Sequence, residues 1–407
     1  MSQVTLDPKM IETVKATAPI LEDKGAEITT HFYKRMFKNN PELLNIFNQT
    51  NQEIGRQPEA LANTVLAAAK NIDQLETILP VVKQIAHKHR SLQIKPEQYP
   101  IVGENLLGAM KEVLGDGATD EVINAWAEAY GIIADVFISV EKEMYEEAEA
   151  QYGGWDGFRT FTVMKKVPES DAITSFYLQP ADGGELPYFE PGQYITVKAQ
   201  IPGEEYVHLR QYSLSDAPGN DYFRISVKRE EGLGDLPDGV VSNFLHKQIN
   251  EGDALELTAP AGDFYLQPSG RPVVLISGGV GLTPLMSMFN TLVKDGRPVT
   301  FIQAAQGRNL HAMHAHTART ADEHEHVSYH VCYDVVTDED RKDPYIQKEG
   351  HIDKEWLESI LPEVEADCYF CGPTPFLKAM NNLLKKDLGI PEERVYFEFF
   401  GPAADLD

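Results

Sequence analysis

A change of period near residue 150 limits what this chain can become more than any other feature. From Asp7 to about Tyr145 apolar residues recur at steps of three and four, with breaks at Pro41, Pro58, Pro80, Pro96 and 115–117. From the run QYGGWDGFRTFTV (151–163) onward, apolar and polar residues alternate in short segments instead. A 3.6-residue period and a two-residue period bury different faces, so the two stretches fold as separate bodies. At 407 residues the chain is also too long for one core. The expected organisation is an all-α domain over 1–148, an antiparallel β-barrel over 154–267 and an α/β parallel-sheet domain over 270–407.

Lys and Arg number 36 against 63 Asp and Glu, a formal charge of −27. Such an acidic surface excludes nucleic acid and anionic membranes as general partners. The start, MSQVTLDPKM, has no basic segment followed by an apolar core, so no export signal is read. The most apolar windows, near Ile132–Val140 and Val273–Met288, are interrupted and read as too short for a bilayer. The expectation is therefore a cytoplasmic monomer with no integral membrane segment. Three cysteines make no disulfide framework. Cys368 and Cys371 enclose Tyr369 and Phe370, which reads as a buried strand and not as a redox or zinc motif.

Within the helical part, several polar residues fall on faces that ought to be apolar. Read as one helix, Leu75 to His89 puts Ile78, Val82, Ile85 and His89 on one face and turns His87 away. On a helix from about Leu21 to Lys38, Tyr33 shares a stripe with Ala26, Thr29, Met36 and Phe37. Gln57 opens the stripe Leu61, Val65, Ala68. Trp126, Tyr130, Ile133, Phe137, Glu141 and Met144 follow at steps of three and four, which turns the Glu141 carboxylate inward, where it needs a partner or a proton. Each has a bland account: a core histidine, a tyrosine reaching water, a glutamine at a helix start, a snorkelling glutamate. Pointing inward together from four helices, they describe a pocket of the kind helical bundles build for cofactors.

The runs HFYKRMF (31–37), NPELLNIFN (40–48), QIAHKHRSLQIKPEQYPIVGENLL (84–107) and AWAEAYGIIADVFI (125–138) resemble the globin domain of bacterial flavohaemoglobins. The likeness extends over the whole chain. That family fuses a haem-binding globin to a flavin reductase and oxidises nitric oxide to nitrate. Carried over position by position, the resemblance implies that His89 ligates the iron of haem b. It implies that Tyr33 and Gln57 line the distal side, Tyr33 donating to bound dioxygen, with Leu61 restricting the space above the iron and Phe47 packing on the haem face. Tyr99 and Glu141 would hydrogen-bond on the proximal side, and Lys88 would tune the iron. A carboxylate on the other ring nitrogen of a ligating histidine makes the imidazole a stronger donor.

In the second part, strands are expected at Thr160–Lys166, Ala172–Gln179, Gln193–Ala199, Arg210–Ser215, Tyr222–Val227 and Ala254–Thr258, closing a barrel. The run RQYSLS puts Arg210, Tyr212 and Leu214 on one face, Gln211 and Ser213 on the other. Followed by G-V-V-S at 239–242, it resembles the flavin fingerprint of the ferredoxin–NADP reductase family. That likeness places FAD along Arg210, Gln211, Tyr212 and Ser213: Arg210 on the pyrophosphate, Tyr212 stacked on the isoalloxazine, Ser213 at its reactive edge, Tyr194 as a second aromatic contact. A helix from near Ser242 would offer backbone N–H groups, with Gly239 admitting a phosphate. The insertion LGDLPD (233–238) departs from the short form of that loop.

In the third part, strands are expected at Val273–Ile276, Val299–Ala304, His326–Tyr333 and Asp367–Cys371, with a helix from Pro284. S-G-G-V-G-L-T-P is not the G-x-G-x-x-G fingerprint, yet glycines between a buried strand and a helix start let amides reach a pyrophosphate. By resemblance, Gly278, Gly279, Val280, Gly281, Leu282 and Thr283 bind NADH or NADPH, and Cys371, Gly372 and Pro373 lie beside the nicotinamide. Glu398 would stand near the hydride path, with Phe399, Phe400, Gly401 and Pro402 against the flavin; Phe399 replaces a cysteine frequent in relatives. Arg308 is a candidate for an adenosine 2′-phosphate. Six histidines between His311 and His330 read as a solvated helix and loop and not as a metal site.

The resemblance thus implies a nitric oxide dioxygenase acting on O2, NO and NAD(P)H, with electrons passing through FAD to haem. The alternatives are a haem oxygen carrier or sensor, for which the globin would suffice, a flavin or hydroperoxide reductase using the same electron path, and anaerobic nitric oxide reduction.

Overall fold

The structure, a computed structural model, describes residues 7–47, 55–232 and 237–401. The chain separates into two compact units, one of 1–150 with 202–209 and 401–403, the other the remainder.

The first unit is helical: α1 (Pro8–Ala16), α2 (Ala18–Asn39), α3 (Arg56–Lys70), α4 (Leu79–Ser91), α5 (Gln98–Leu114) and α6 (Asp120–Ala150). The Asp7 carboxylate caps α1 by accepting from Lys9 N–H at 2.9 Å, with Pro8 in the first turn where its missing donor costs nothing. Leu75 to His89 is not one helix: Leu75–Ile78 is a 3₁₀ turn, and α4 starts beside Pro80, which sits in its first turn. The buried face of α2 is centred on Gly25, Thr29, Phe32 and Met36, about 60° round from Tyr33, so Ala26 is exposed although it shares the Tyr33 stripe. The helix α6 corrects another expectation. It is long and apolar enough, by length and composition, to cross a membrane. It packs against α1, α4 and α5, however, and it buries Trp126, Phe137 and Glu141.

In the second unit, β1 (Arg159–Pro168), β2 (Ile173–Pro180), β3 (Tyr194–Ala199), β4 (His208–Ser213), β5 (Phe223–Lys228) and β6 (Ala254–Leu257) form a sheet ordered β4-β3-β6-β1-β2-β5. An antiparallel bridge from Leu214 to Ile225 joins the ends of that order and closes the barrel. Phe161, Phe176, Ile195, Val197, Leu214, Phe223 and Ile225 fill its interior. The short helix α7 (Val240–Lys247) follows.

The parallel sheet comprises β7 (Val273–Gly278), β8 (Val299–Ala305), β9 (Val327–Tyr333), β10 (Ile346–Glu349), β11 (Asp367–Cys371) and β12 (Val395–Glu398), ordered β10-β9-β8-β7-β11-β12. Helices α8 (Leu282–Asp295), α9 (His314–Glu323), α10 (Lys354–Ile360) and α11 (Thr374–Asn382) accompany it. Both faces are apolar, as a fully covered parallel sheet requires. The strand order turns back at β7, whose neighbours are β8 and β11, and such switch points open a crevice at the carboxyl ends of the strands. The two strands without a sequence expectation, β10 and β12, are short and lie at the edges.

Candidate functional site

In the helical unit, one buried carboxylate organises the surroundings of His89. Glu141 is 2% exposed, and its Oε1 accepts from His89 Nδ1 at 2.7 Å and from the Tyr99 hydroxyl at 2.6 Å. The Tyr99 hydroxyl is itself 3.2 Å from His89 Nδ1, and the Tyr130 hydroxyl donates to the Tyr99 carbonyl at 2.6 Å. Burial and the neighbouring Glu141 push the Tyr99 phenol well above its usual range, so it stays protonated and donates. With a carboxylate facing Nδ1, the ring carries its proton there and turns its lone pair out at Nε2. Among the described residues, Nε2 has no hydrogen-bond partner. Phe137 packs on both rings, 5.8 Å from His89 and 6.3 Å from Tyr99 between centroids. Lys88 is half-buried on the same helical turn.

A second group comes from α2, α3 and the turn after α2. The Tyr33 ring is buried between Phe32, Phe37 and Phe47, with centroids at 4.7, 5.9 and 5.8 Å. Leu61 belongs to the same apolar cluster, and Gln57 is half-buried one turn before it in α3. His89, Tyr99 and Phe137 belong to a different cluster environment, with Tyr130 and Ile133 packed against both clusters. This donor set fits a haem: one imidazole held through Nδ1, with Nε2 left without a hydrogen-bond partner among the described residues, and a separate aromatic and aliphatic wall.

Along the barrel, Tyr212 is half-buried against the core; Gln211 and Ser213 share the other face, yet Gln211 is exposed and Ser213 is buried, so burial along this strand does not follow a simple alternation. Burial pulls the Arg210 guanidinium below its ordinary value and the adjacent Tyr212 opposes this, an environment that an anionic pyrophosphate would relieve. The Tyr194 ring lies against Gly262, where a Cβ would stand 2.9 Å from the ring, so a side chain at 262 would push it aside. Helix α7 starts at Val240, two residues before the expected position, and the Ser242 hydroxyl is engaged inside its own loop. It donates to the Gly239 carbonyl and accepts from Glu230 N–H, both at 3.1 Å. Of the insertion, 233–236 lie outside the described residues, as does Pro402.

At the switch point, Gly278 ends β7, Gly279–Gly281 form a 3₁₀ turn, and Leu282 and Thr283 open α8, with Val280 half-buried. A Cβ at Gly281 would overlap the Cys371 carbonyl, so only glycine lets this turn meet the Cys371-Gly372-Pro373 segment. Register aligns Ser277, Cys371 and Glu398 across three neighbouring strand ends. Phe399 packs against the core, while Phe400 is 47% exposed and Gly401 has φ +138°. Cys368 and Cys371 are buried in β11, and burial pushes the Cys368 thiol up to about 12.

The histidine-rich segment is not a solvated surface. His311 is 6% exposed, with Nε2 2.5 Å from Gln303 Oε1 and Nδ1 2.8 Å from the Tyr333 hydroxyl. His314 bridges Tyr329 (2.9 Å) and Asp343 (2.7 Å). Burial holds His311 down at about 3, so it is neutral. No group of three His, Cys, Asp or Glu positioned for a metal occurs among the described residues. Arg308 pairs with Asp340 at 2.6 Å and with Asp343 at 3.4 Å. The Thr337 backbone N–H and Arg308 bring the Asp340 carboxyl down to about 2. Sequence reasoning missed Gln303, Tyr130 as the brace of Tyr99, and Asp216 with Asn290; of these, only Tyr130 left a signal, its place on the Glu141 stripe.

Comparisons agree with this division. Family models match for a globin over residues 30–137, an oxidoreductase FAD-binding domain over 160–265 and an oxidoreductase NAD-binding domain over 275–382. The flavohemoprotein of Halalkalibacterium halodurans is 63% identical over 409 residues, covering 100% of this chain and 99% of the relative. That of Bacillus subtilis is 51% identical over 404 residues, covering 98% and 99%. Among solved structures, the flavohemoglobin of Malassezia yamatoensis with bound FAD and heme superposes with a TM-score of 0.83 at 25% identity, covering 97% of this chain and 100% of the other. The FAD/NAD-binding domain of the nitric oxide dioxygenase of Vibrio cholerae is 39% identical with a TM-score of 0.54, covering 60% of this chain and 99% of that domain. With relatives matched from end to end, and a helical unit, a barrel and a parallel sheet in the same order, this chain belongs to the flavohemoprotein family.

Proposed function

We propose that the protein is a nitric oxide dioxygenase that converts NO and O2 to nitrate with electrons from NADH or NADPH, over domains at 1–148, 154–267 and 270–407. The observation that carries this reading is the 2.7 Å hydrogen bond from His89 Nδ1 to buried Glu141, in a chain that also contains both halves of a reductase. When bound, haem b would supply the iron at which NO and O2 combine, and FAD the exchange between a two-electron donor and a one-electron acceptor.

The chain's own residues do the rest. Glu141 and Tyr99 hold the His89 ring in one tautomer and enrich its donor nitrogen, which favours oxygen chemistry over storage. Tyr33, set among Phe32, Phe37 and Phe47, would donate its hydroxyl to bound dioxygen, with Gln57 and Leu61 of α3 lining the same side. Lys88 adds a positive charge beside the ligand. Arg210 would hold the FAD pyrophosphate and Tyr212, Ser213 and Tyr194 its ring. The turn Gly278–Thr283 and Cys371–Pro373 would hold the nicotinamide nucleotide, with Glu398 and Phe400 at the strand ends beside it.

The test is nitrate formation from nitric oxide by the purified protein with NADH and air. Stoichiometric nitrate supports the reading. Absence of nitrate with oxygen binding intact would assign an oxygen carrier instead, and NADH oxidation with peroxides but not with NO a hydroperoxide reductase.

A further inference from the structure

The strand proposed for the flavin, β4, ends at Ser213. The chain continues through the Leu214 bridge and Ser215 to Asp216, where the barrel closes: Ser215 N–H donates to the Arg224 carbonyl at 2.8 Å, and the Arg224 side chain donates back to the Ser215 carbonyl. Asp216 meets partners from two directions. On the barrel side its Oδ2 accepts from the Tyr222 hydroxyl at 2.9 Å and faces Arg224 Nη1 at 3.4 Å. On the nucleotide side its Oδ1 accepts from Asn290 Nδ2 at 2.8 Å, and its backbone carbonyl accepts from the Ser287 hydroxyl at 2.7 Å. Ser287 and Asn290 lie one turn apart on α8, the helix opened by the 278–283 turn. Asn290 is oriented in turn by His316 of α9, whose Nε2 lies 2.9 Å from Asn290 Oδ1.

Arg210 to Phe400, and with it Asp216, α8 and the parallel sheet, fall within one compact unit. We infer that Asp216, with Ser287 and Asn290, is a positioning latch that fixes the nucleotide-binding turn of α8 against the flavin-binding strand β4, and thereby sets the hydride-transfer distance. The inference rests on the reading of FAD along β4 and of a nicotinamide nucleotide at 278–283. In that step the C4–H bond of the dihydronicotinamide breaks, and its hydrogen and electron pair form a bond at flavin N5. The nicotinamide is oxidised by two electrons and the flavin reduced by two. Reacting atoms must lie about 3 to 3.5 Å apart, and a displacement of about 1 Å can cost about 100-fold in rate. Asp216 is three residues beyond Ser213, and Ser287 is four beyond Thr283, about 6 Å along the helix. A shift at the latch therefore reaches both halves of the site with little chain between to absorb it.

The full-length holoenzyme carrying Ser287→Ala and Asn290→Ala tests this. Anaerobic stopped-flow reduction by NADH is expected to slow by about 10- to 100-fold. The charge-transfer absorbance between flavin and nicotinamide is expected to weaken, while FAD content and the flavin midpoint potential keep their wild-type values. Should the double variant fail to fold, Asn290→Ala alone, at a half-buried position, is read in the same way. Wild-type reduction rate and charge-transfer band in the variant would overturn the latch. A slower rate accompanied by FAD loss or a shifted potential would overturn it too, because the flavin site itself would then be at fault. A wild-type chain that binds no FAD would overturn the functional reading first and the latch with it.

Discussion

His89 is half-buried and His311 buried, each next to a tyrosine, yet the two imidazoles are finished differently. At His89, among the described residues, the hydrogen bonds fall on Nδ1, from Glu141 at 2.7 Å and Tyr99 at 3.2 Å. At His311 both nitrogens are occupied, Nδ1 by Tyr333 and Nε2 by Gln303. A ring held on one side by a carboxylate leaves its other nitrogen available to a metal, as proposed for His89. A ring held on both sides by neutral groups is a piece of polar core. The density of histidines in sequence points to the His311 segment, whereas the count of occupied ring nitrogens singles out His89, the residue proposed to hold the iron.

The largest expected effect breaks the comparison outright. His89→Ala should abolish the haem absorption band while NADH-dependent dye reduction by the flavin continues. His311→Ala should keep the haem and cost about 1 to 3 kcal/mol in chemical denaturation, the usual penalty for stranding a buried hydrogen-bonding partner. Loss of haem from the second variant, or of both activities from the first, would erase the distinction.

Next in size is Glu141→Gln, which keeps the shape but removes the charge facing Nδ1. Nitrate turnover is expected to fall about 10-fold, in the range found when the outer partner of a ligating histidine is removed. A redox titration should show a higher iron midpoint potential.

A smaller effect concerns acid stability. His311 is held at about 3 in the folded chain against about 6.5 when unfolded, so the unfolded chain takes up the proton first. Its contribution is complete above about pH 6.5 and is lost on acidification at up to about 1.4 kcal/mol per pH unit. His311→Gln should flatten that part of the stability profile, read by denaturant titration at several pH values; an unchanged slope would remove His311 from the account.

The smallest effect carries the contrast to a third side chain with its partners filled. Arg308 is engaged by Asp340 and Asp343, which leaves it poorly disposed toward a 2′-phosphate, and NADH is the expected donor. Asp340→Asn with Asp343→Asn should raise the relative kcat/KM for NADPH a few-fold, the pair being partly exposed and worth under about 1 kcal/mol.

Much of this was legible in sequence because it depends on local period. The stripe of Trp126, Tyr130, Phe137 and Glu141 required only steps of three and four, and Glu141 is indeed inside. The strands that were expected, all but β10 and β12, followed alternation and turn residues to within about two positions. What was not legible depends on partners far along the chain. The Glu141 contacts come from α4 and α5, 52 and 42 residues away. The His311 network draws on two other strands, so a polar segment that reads as solvated is enclosed. Ser242 looked available to a phosphate because nothing local shows Glu230 folding back onto it. The roles of Tyr33 and Gln57 came from family resemblance, since their faces alone allow either account.

The central claim is that Nε2 of His89 binds the iron while Nδ1 answers to Glu141. Resonance Raman spectroscopy of the reduced holoprotein reads that bond directly through the iron–imidazole stretch. The expected result is a clear band in the wild type that moves to lower frequency in Glu141→Gln; a band at the same frequency in both, or none in the wild type, would contradict the account.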